Sequence, residues 1–188
     1  MFQVFLKRKH SAAHHNYVSV RPMGIDKTTY DIIIKTNVVF QQEASMQLAH
    51  VSKVLGGKQV LHANLKSPMD LIKLSQKGVP RGALNHLIEH ASLSLKQIAS
   101  LLPITERTIQ RYTASDRFSP AVSEQIITIA QIVSRGEEVF GDRSRFLTWM
   151  NHKSPALSNN KPFDLLSSRF GANLIMDELG RIEHGVIS

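Results

Sequence analysis

The sequence contains no cysteine, a single tryptophan and few aromatic residues of any kind, 6% in all. Without cysteine there is no disulfide framework, no thiol nucleophile and no Cys-ligated zinc, and the chain suits a reducing compartment. No uninterrupted apolar run approaches the roughly 18 residues that a membrane span needs. Neither a P-loop nor a dinucleotide-binding glycine fingerprint occurs. The opening Met-Phe-Gln-Val-Phe-Leu precedes Lys7-Arg8-Lys9, the reverse of the charge-then-apolar order of a secretory signal. What is present is ample apolar material: 42% of 188 residues are hydrophobic. That is too much for generic disorder and enough to bury a core in one or two domains. The expectation is a soluble, cytoplasmic, non-catalytic protein that needs no cofactor.

Acidic residues are scarce in the first two-thirds. Residues 1–120 hold 16 Lys and Arg against 7 Asp and Glu, whereas residues 121–188 hold 7 against 8. The net charge of +8 therefore lies wholly before residue 121. A basic region joined to a near-neutral one suggests that the first meets a polyanion and the second something else.

Three segments follow from the pattern. Residues 1–43 are the least regular: Lys7–Asn16 is basic and bears His10, His14 and His15. Ile32-Ile33-Ile34 and Val38-Val39-Phe40 are β-branched runs flanking Lys35-Thr36-Asn37. This extension is read as a mobile arm or a short hairpin, although no glycine turn separates the two runs. Residues 44–118 and 119–188 read as all-α. Ala44, Leu48, Val51 and Leu55 share one helical face, and Gly56-Gly57 ends that helix. Ser67-Pro68 and Ser119-Pro120 are each a cap followed by a first-turn proline. Val122, Ile126, Ile129, Ala130 and Val133 run at helical spacing towards Gly136, which is expected to stop the helix. Asp142 is placed to cap a helix through Phe146, Trp149 and Met150. Pro162 is expected to start a short helix ending at Gly171, and Ile175, Leu179 and Ile182 to form a last one stopped by Gly185. Trp149, Phe163 and Phe170 are assigned to the core.

Ser94–Tyr112 carries the chemistry. Leu95, Ile98, Ala99 and Leu102 make one apolar stripe, and Pro103 stops that helix because proline restricts the residue before it. Thr105 then caps a second helix containing Ile109 and Tyr112. Two short helices joined by such a turn form a helix-turn-helix. With Ile109 and Tyr112 inward, Thr105, Glu106, Arg107, Thr108, Gln110 and Arg111 face outward. Arg pairs bidentately with guanine and Gln with adenine in a major groove. Arg81 and Arg117 flank the unit as candidate phosphate contacts. The turn position filled by Pro103 is more often glycine, which supplies a positive φ, so the turn here is expected to differ. His86 and His90 share a helical face but lack a third ligand at metal spacing, and are assigned to the surface.

Residues 139–150 (Val-Phe-Gly-Asp, then Phe-Leu-Thr-Trp-Met), Pro155-Ala156-Leu157, Pro162–Gly171 and the closing Leu179-Gly180-Arg181-Ile182-Glu183-His184-Gly185-Val186-Ile187 stand in a distinctive order. Together with Gly78-Val79-Pro80 and Arg107–Arg111 they resemble the Xre/MbcA/ParS antitoxin family over roughly residues 54–188. The sequence departs from the family pattern at Pro103. It departs again at Asn159-Asn160-Lys161, where a glycine pair usually precedes the proline; asparagine tolerates the left-handed φ needed there.

The resemblance implies an antitoxin that binds and inhibits a RES-domain toxin, an NAD-consuming enzyme, through its C-terminal domain. It also implies a homodimer that represses its own operon by binding operator DNA, and that joins the toxin in a higher-order complex. Within that frame Arg181, Glu183, His184, Gly185, Val186, Ile187 and Ser188 are the expected toxin contacts, covering the enzyme's active-site mouth. The helix over 120–135 and the region 44–78 are candidate dimer surfaces. The alternative is a DNA-binding regulator whose C-terminal domain serves only dimerisation.

Overall fold

A computed structural model describes Gly24 and residues 26–185. The readings for Lys7–Asn16, including His10, His14 and His15, and for Val186–Ser188 lie outside the described residues. The architecture is all-α, in the order α1 (Lys27–Val54), α2 (Gly57–Leu61), α3 (Pro68–Lys77), α4 (Arg81–His90), α5 (Leu95–Leu101), α6 (Glu106–Gln110), α7 (Pro120–Phe140), α8 (Arg143–Asn151), a 3-10 turn at Pro155–Leu157, α9 (Pro162–Leu165) and α10 (Arg169–Glu183). Among the described residues, extended pairing is confined to the isolated bridges Pro80–Arg117 and Ser154–Asn160. No helix among them is long and apolar enough to cross a membrane.

Two compact units divide the chain, Met1–Val39 and Phe40–Ser188. In the first, the described residues open α1. The Asp26 carboxylate accepts a hydrogen bond from the Thr29 N–H at 3.0 Å and another from its hydroxyl, which starts the helix and holds the Asp26 pKa below the usual carboxylate value. Ile32, Ile33, Val38 and Val39 lie exposed on it. This corrects both the hairpin reading and the expected helix start at residue 44. Between Asp26 and Leu55 there is no glycine or proline, so nothing breaks a helix once Asp26 caps it. β-Branched residues lower helix propensity by only fractions of a kcal/mol each.

The second unit is built round α7. Val122, Ile126, Ile127, Ile129, Ala130, Ile132 and Val133 are all buried, so the helix is enclosed on most of its circumference. α3, α8 and α10 pack against it. Leu48, Val51, Val54 and Leu55 of α1, Leu84 and Leu87 of α4, Ile98 of α5, Ile109 of α6, Phe146 of α8 and Ile175 and Leu179 of α10 join the same core. The Ser123 hydroxyl, fully buried on α7, accepts from the Val79 N–H at 2.8 Å and donates to the Phe118 carbonyl, which satisfies backbone groups that the core would otherwise strand.

Two glycines expected to stop helices do not. α7 runs past Gly136 to Phe140, and Gly141 ends it with φ +64°. Gly136 is instead a notch: a Cβ there would lie 2.1 Å from the Phe146 ring, and Phe146 is 1% exposed. Gly171 lies in the first turn of α10, where its N–H donates to the capping Ser168 hydroxyl. Its missing side chain makes room for the Leu165 carbonyl. Because core packing tolerates little added volume, Gly136→Ala is expected to destabilise the fold by about 1–3 kcal/mol. Urea denaturation checks this, and an unchanged midpoint would refute the notch.

Candidate functional site

α5 and α6 form the first candidate surface. Ser94 caps α5 in a reciprocal box with Gln97: the Gln97 N–H donates to the Ser94 hydroxyl at 3.2 Å, and the Ser94 N–H donates to the Gln97 side chain at 2.8 Å. Ile98, Leu101 and Leu102 are buried. The turn is made without positive φ: Leu102 and Thr105 are extended, with φ −110° and −82°. Pro103 is exposed between them. An extended Leu102 is the conformation that a following proline favours, which is how this turn dispenses with glycine.

Thr105 caps α6 by accepting from the Thr108 N–H at 3.2 Å, and the two hydroxyls are 2.9 Å apart. Ile109, fully buried, anchors the helix. That leaves Thr105, Arg107, Gln110 and Arg111 exposed and Glu106 and Thr108 half-buried. Glu106 accepts from the Gln110 amide at 3.2 Å, so a carboxylate and its i+4 partner share the face with the two guanidinium groups. Tyr112 lies beyond the helix end, stacked on Phe118 at 5.0 Å between ring centroids.

Arg81 and Arg117 sit differently. Arg81 is half-buried and its Nε donates to the Ile109 carbonyl at 3.2 Å, while burial lowers its pKa from the ordinary value. Arg117 Nη1 donates to the Gly78 carbonyl at 2.5 Å. Backbone bonds from Arg81 to Asp116, Gly82 to Ala114 and Phe118 to Val79 strap the loop after α6 to the start of α4. Arg81 thus holds α6 from behind, and Arg117 ties the loop after α6 to the end of α3.

The second surface is the end of α10. Arg181, Glu183, His184 and Gly185 are exposed there. Arg181 pairs with Glu178 at 3.0 Å, and Glu178 is itself buried. Glu183 pairs with Arg135 of α7, which also reaches Glu138, and Glu138 pairs with His50 at 2.6 Å. The expected toxin contacts are therefore partly engaged within the chain. Trp149 packs with Phe140 and Phe146, and Phe163 lies against the core. Phe170 does not: it is 84% exposed, and its assignment to the core is overturned. The buried face of α10 runs through Ala172, Ile175 and Leu179. Phe170 lies away from that face, in line with Leu174, Asp177 and Arg181.

Sequence spacing also missed two histidine–carboxylate pairs. His90 meets Glu137 at 2.8 Å and His50 meets Glu138; both acids come from the last turn of α7, about fifty and ninety residues away. His86 is exposed and its ring lies against Gly56. Among the described residues no group of three or more side chains is arranged to hold a metal ion. Asn159 takes the left-handed φ, +58°, that the missing glycine pair would have supplied.

Two short capped helices with a row of polar side chains facing outward define a helix-turn-helix protein. The model of the antitoxin Xre-like helix-turn-helix domain matches residues 70–131. That of the antitoxin Xre/MbcA/ParS C-terminal toxin-binding domain matches residues 135–185. The chain is 33% identical over 100 residues to the antitoxin Xre of Yersinia enterocolitica serotype O:8, spanning 52% of this chain and 68% of that protein. It is 28% identical over 80 residues to the antitoxin Xre of Photorhabdus laumondii, spanning 42% and 54% respectively. The chain belongs to the Xre antitoxin family, with a helix-turn-helix and a C-terminal toxin-binding domain.

The bonds that Arg81 and Arg117 make to backbone carbonyls separate these half-buried arginines from the exposed pair. Arg81→Ala and Arg117→Ala are each expected to cost about 1–3 kcal/mol of stability through lost charge-assisted hydrogen bonds. Arg107→Ala and Arg111→Ala should leave stability within about 0.5 kcal/mol. Thermal unfolding of the four variants decides this, and equal melting temperatures would contradict it.

Proposed function

We propose that this chain is the antitoxin of a type II pair. In this reading it binds and inhibits a RES-domain toxin that consumes NAD, and it represses its own operon by binding operator DNA as a homodimer in the cytoplasm. Residues 44–118 serve the operator and residues 119–188 the toxin. The observation that carries the DNA half is the state of α6: Arg107, Gln110 and Arg111 are exposed while Ile109 is fully buried. A helix anchored by one core side chain and capped by Thr105 presents those donors in a fixed order. The basic balance of residues 1–120 supports the same half, since phosphate neutralisation supplies most of the affinity for DNA.

The two faces have separate chemistries. Arg107 and Arg111 suit guanine edges and Gln110 adenine. Arg81 contributes by holding α6 at Ile109 and Arg117 by tying the following loop to Gly78, with any phosphate contact limited to nitrogens other than these and the buried Arg81 Nη1. An inhibitor of an NAD-consuming enzyme needs only to occlude the nucleotide's entry, so it requires a complementary surface and no catalytic group. A two-fold operator matches a helix-turn-helix dimer.

On operator DNA, Arg107→Ala and Arg111→Ala are each expected to weaken binding by about 1–3 kcal/mol, and affinity should fall steeply with salt. A mobility-shift titration at several salt concentrations measures both; salt-independent binding, or none, would remove the DNA half. For the toxin half, the chain should co-purify with the protein encoded beside it, and co-expression should preserve cellular NAD. A chain that binds DNA alone and leaves NAD loss unchecked would favour the simple regulator.

A further inference from the structure

The toxin-binding domain carries an apolar stripe that its own fold leaves uncovered; Met176, 39% exposed, lies on another side of the same helix. Phe170 is 84% exposed and Leu174, one turn on, is 51% exposed. Both belong to α10, inside the matched region 135–185. A phenylalanine this exposed gains nothing for the isolated chain, because its ring stays in water. It does not result from loose packing, since the opposite face of the same helix buries Ala172, Ile175 and Leu179 to 2% exposure or less. Ser168 fixes the start of the helix by accepting from the Gly171 N–H at 3.0 Å, so the phase of Phe170 is set.

Along the helix, positions 170, 174, 177 and 181 are spaced by four, three and four residues and fall on one line. The stripe therefore reads Phe170, Leu174, Asp177, Arg181: two large apolar groups, then two charged ones. Arg181 keeps 48% of its side chain exposed although it pairs with Glu178.

We infer that this outward stripe of α10 is the surface that docks the toxin, with Phe170 as its anchor, in place of the chain's last residues alone. The inference rests on the toxin-binding reading above. The partner it fits is a protein with an apolar hollow for the Phe170 ring and, about two turns away, a cationic group for Asp177. Two apolar side chains followed by two charged ones, with Arg181 already paired to Glu178, have the make-up of a non-obligate interface, a desolvated centre with a polar rim. An obligate homodimer face buries far more area and is more uniformly apolar, which is why a toxin and not a second copy is assigned here.

The test uses the full chain co-expressed with the RES-domain toxin encoded beside it. Phe170→Asp and Leu174→Asp lie on the surface, so circular dichroism melting should match the wild type. Affinity for the toxin, by titration of purified components, should fall at least about tenfold in each, and NAD protection should fall with it. A chain lacking residues 184–188 should retain most of its affinity. Wild-type binding with unchanged affinity in both substitutions would overturn the inference while leaving the toxin reading intact. So would a shift from dimer to monomer by light scattering in Phe170→Asp, which would give the face to a second copy. Failure of the wild type itself to bind the toxin would overturn the reading on which the inference stands.

Discussion

The close approach of α7 and α8 at Gly136 is the contact on which the rest depends. Phe146 fills the space that a side chain at position 136 would occupy. Phe146 in turn touches Phe140 and Trp149, which sets α8 along the end of α7. With α8 in place, Arg143 donates to the Glu89 carbonyl and the Ser92 hydroxyl, at the loop that leads into α5. The helix-turn-helix therefore stands on the toxin-binding domain, and one buried helix serves both. Dense interiors transmit such constraints because they hold little free volume to absorb them.

α7 also explains how two surfaces of different charge coexist. At its first turns Ser123 ties Val79 and Phe118 to the helix, and those residues stand next to Arg81 and Arg117 on either side of α6. At its last turns Arg135 and Glu138 meet Glu183 of α10 and His50 of α1. α10 lies along much of the same helix, from Gln125, which donates to the Leu166 carbonyl just before α10, to Arg135. Exposed ion pairs of this kind contribute little energy each, so it is the apolar burial of α7 that fixes the arrangement, and the ion pairs that orient the ends.

What was legible in the sequence was what is decided locally. Ser94, Thr105, Asp142 and the Ser-Pro pairs mark helix starts because capping involves residues within one turn. The outward row of α6 follows from placing Ile109 and Tyr112 inward. Asn159 was readable because few residues other than glycine accept its φ. Gly136 was misread because glycine as a stop and glycine as a packing notch look alike until Phe146 is known to face it. Phe170 is misread for a related reason: taking the Pro162 helix to end at Gly171 puts it in that helix, whereas the cap at Ser168 makes it the second residue of α10, opposite Ala172, Ile175 and Leu179. The inward turn of Arg81 and Arg117 and the pairing of His50 and His90 with the α7 glutamates depend on contacts between distant segments, which periodicity does not encode. The β-branched runs in α1 carry a strand preference, but with no glycine or proline from Asp26 to Leu55 the uninterrupted helix outweighs it.

In the proposed function one core carries two surfaces that work at the same time. A mobility-shift measurement on operator DNA already bound by the chain, with the toxin then added, decides this. A further retarded ternary complex that retains the DNA is expected, because the exposed row on α6 and the stripe on α10 share no residue. Release of free DNA on toxin addition would contradict it, since the two partners would then compete for one surface.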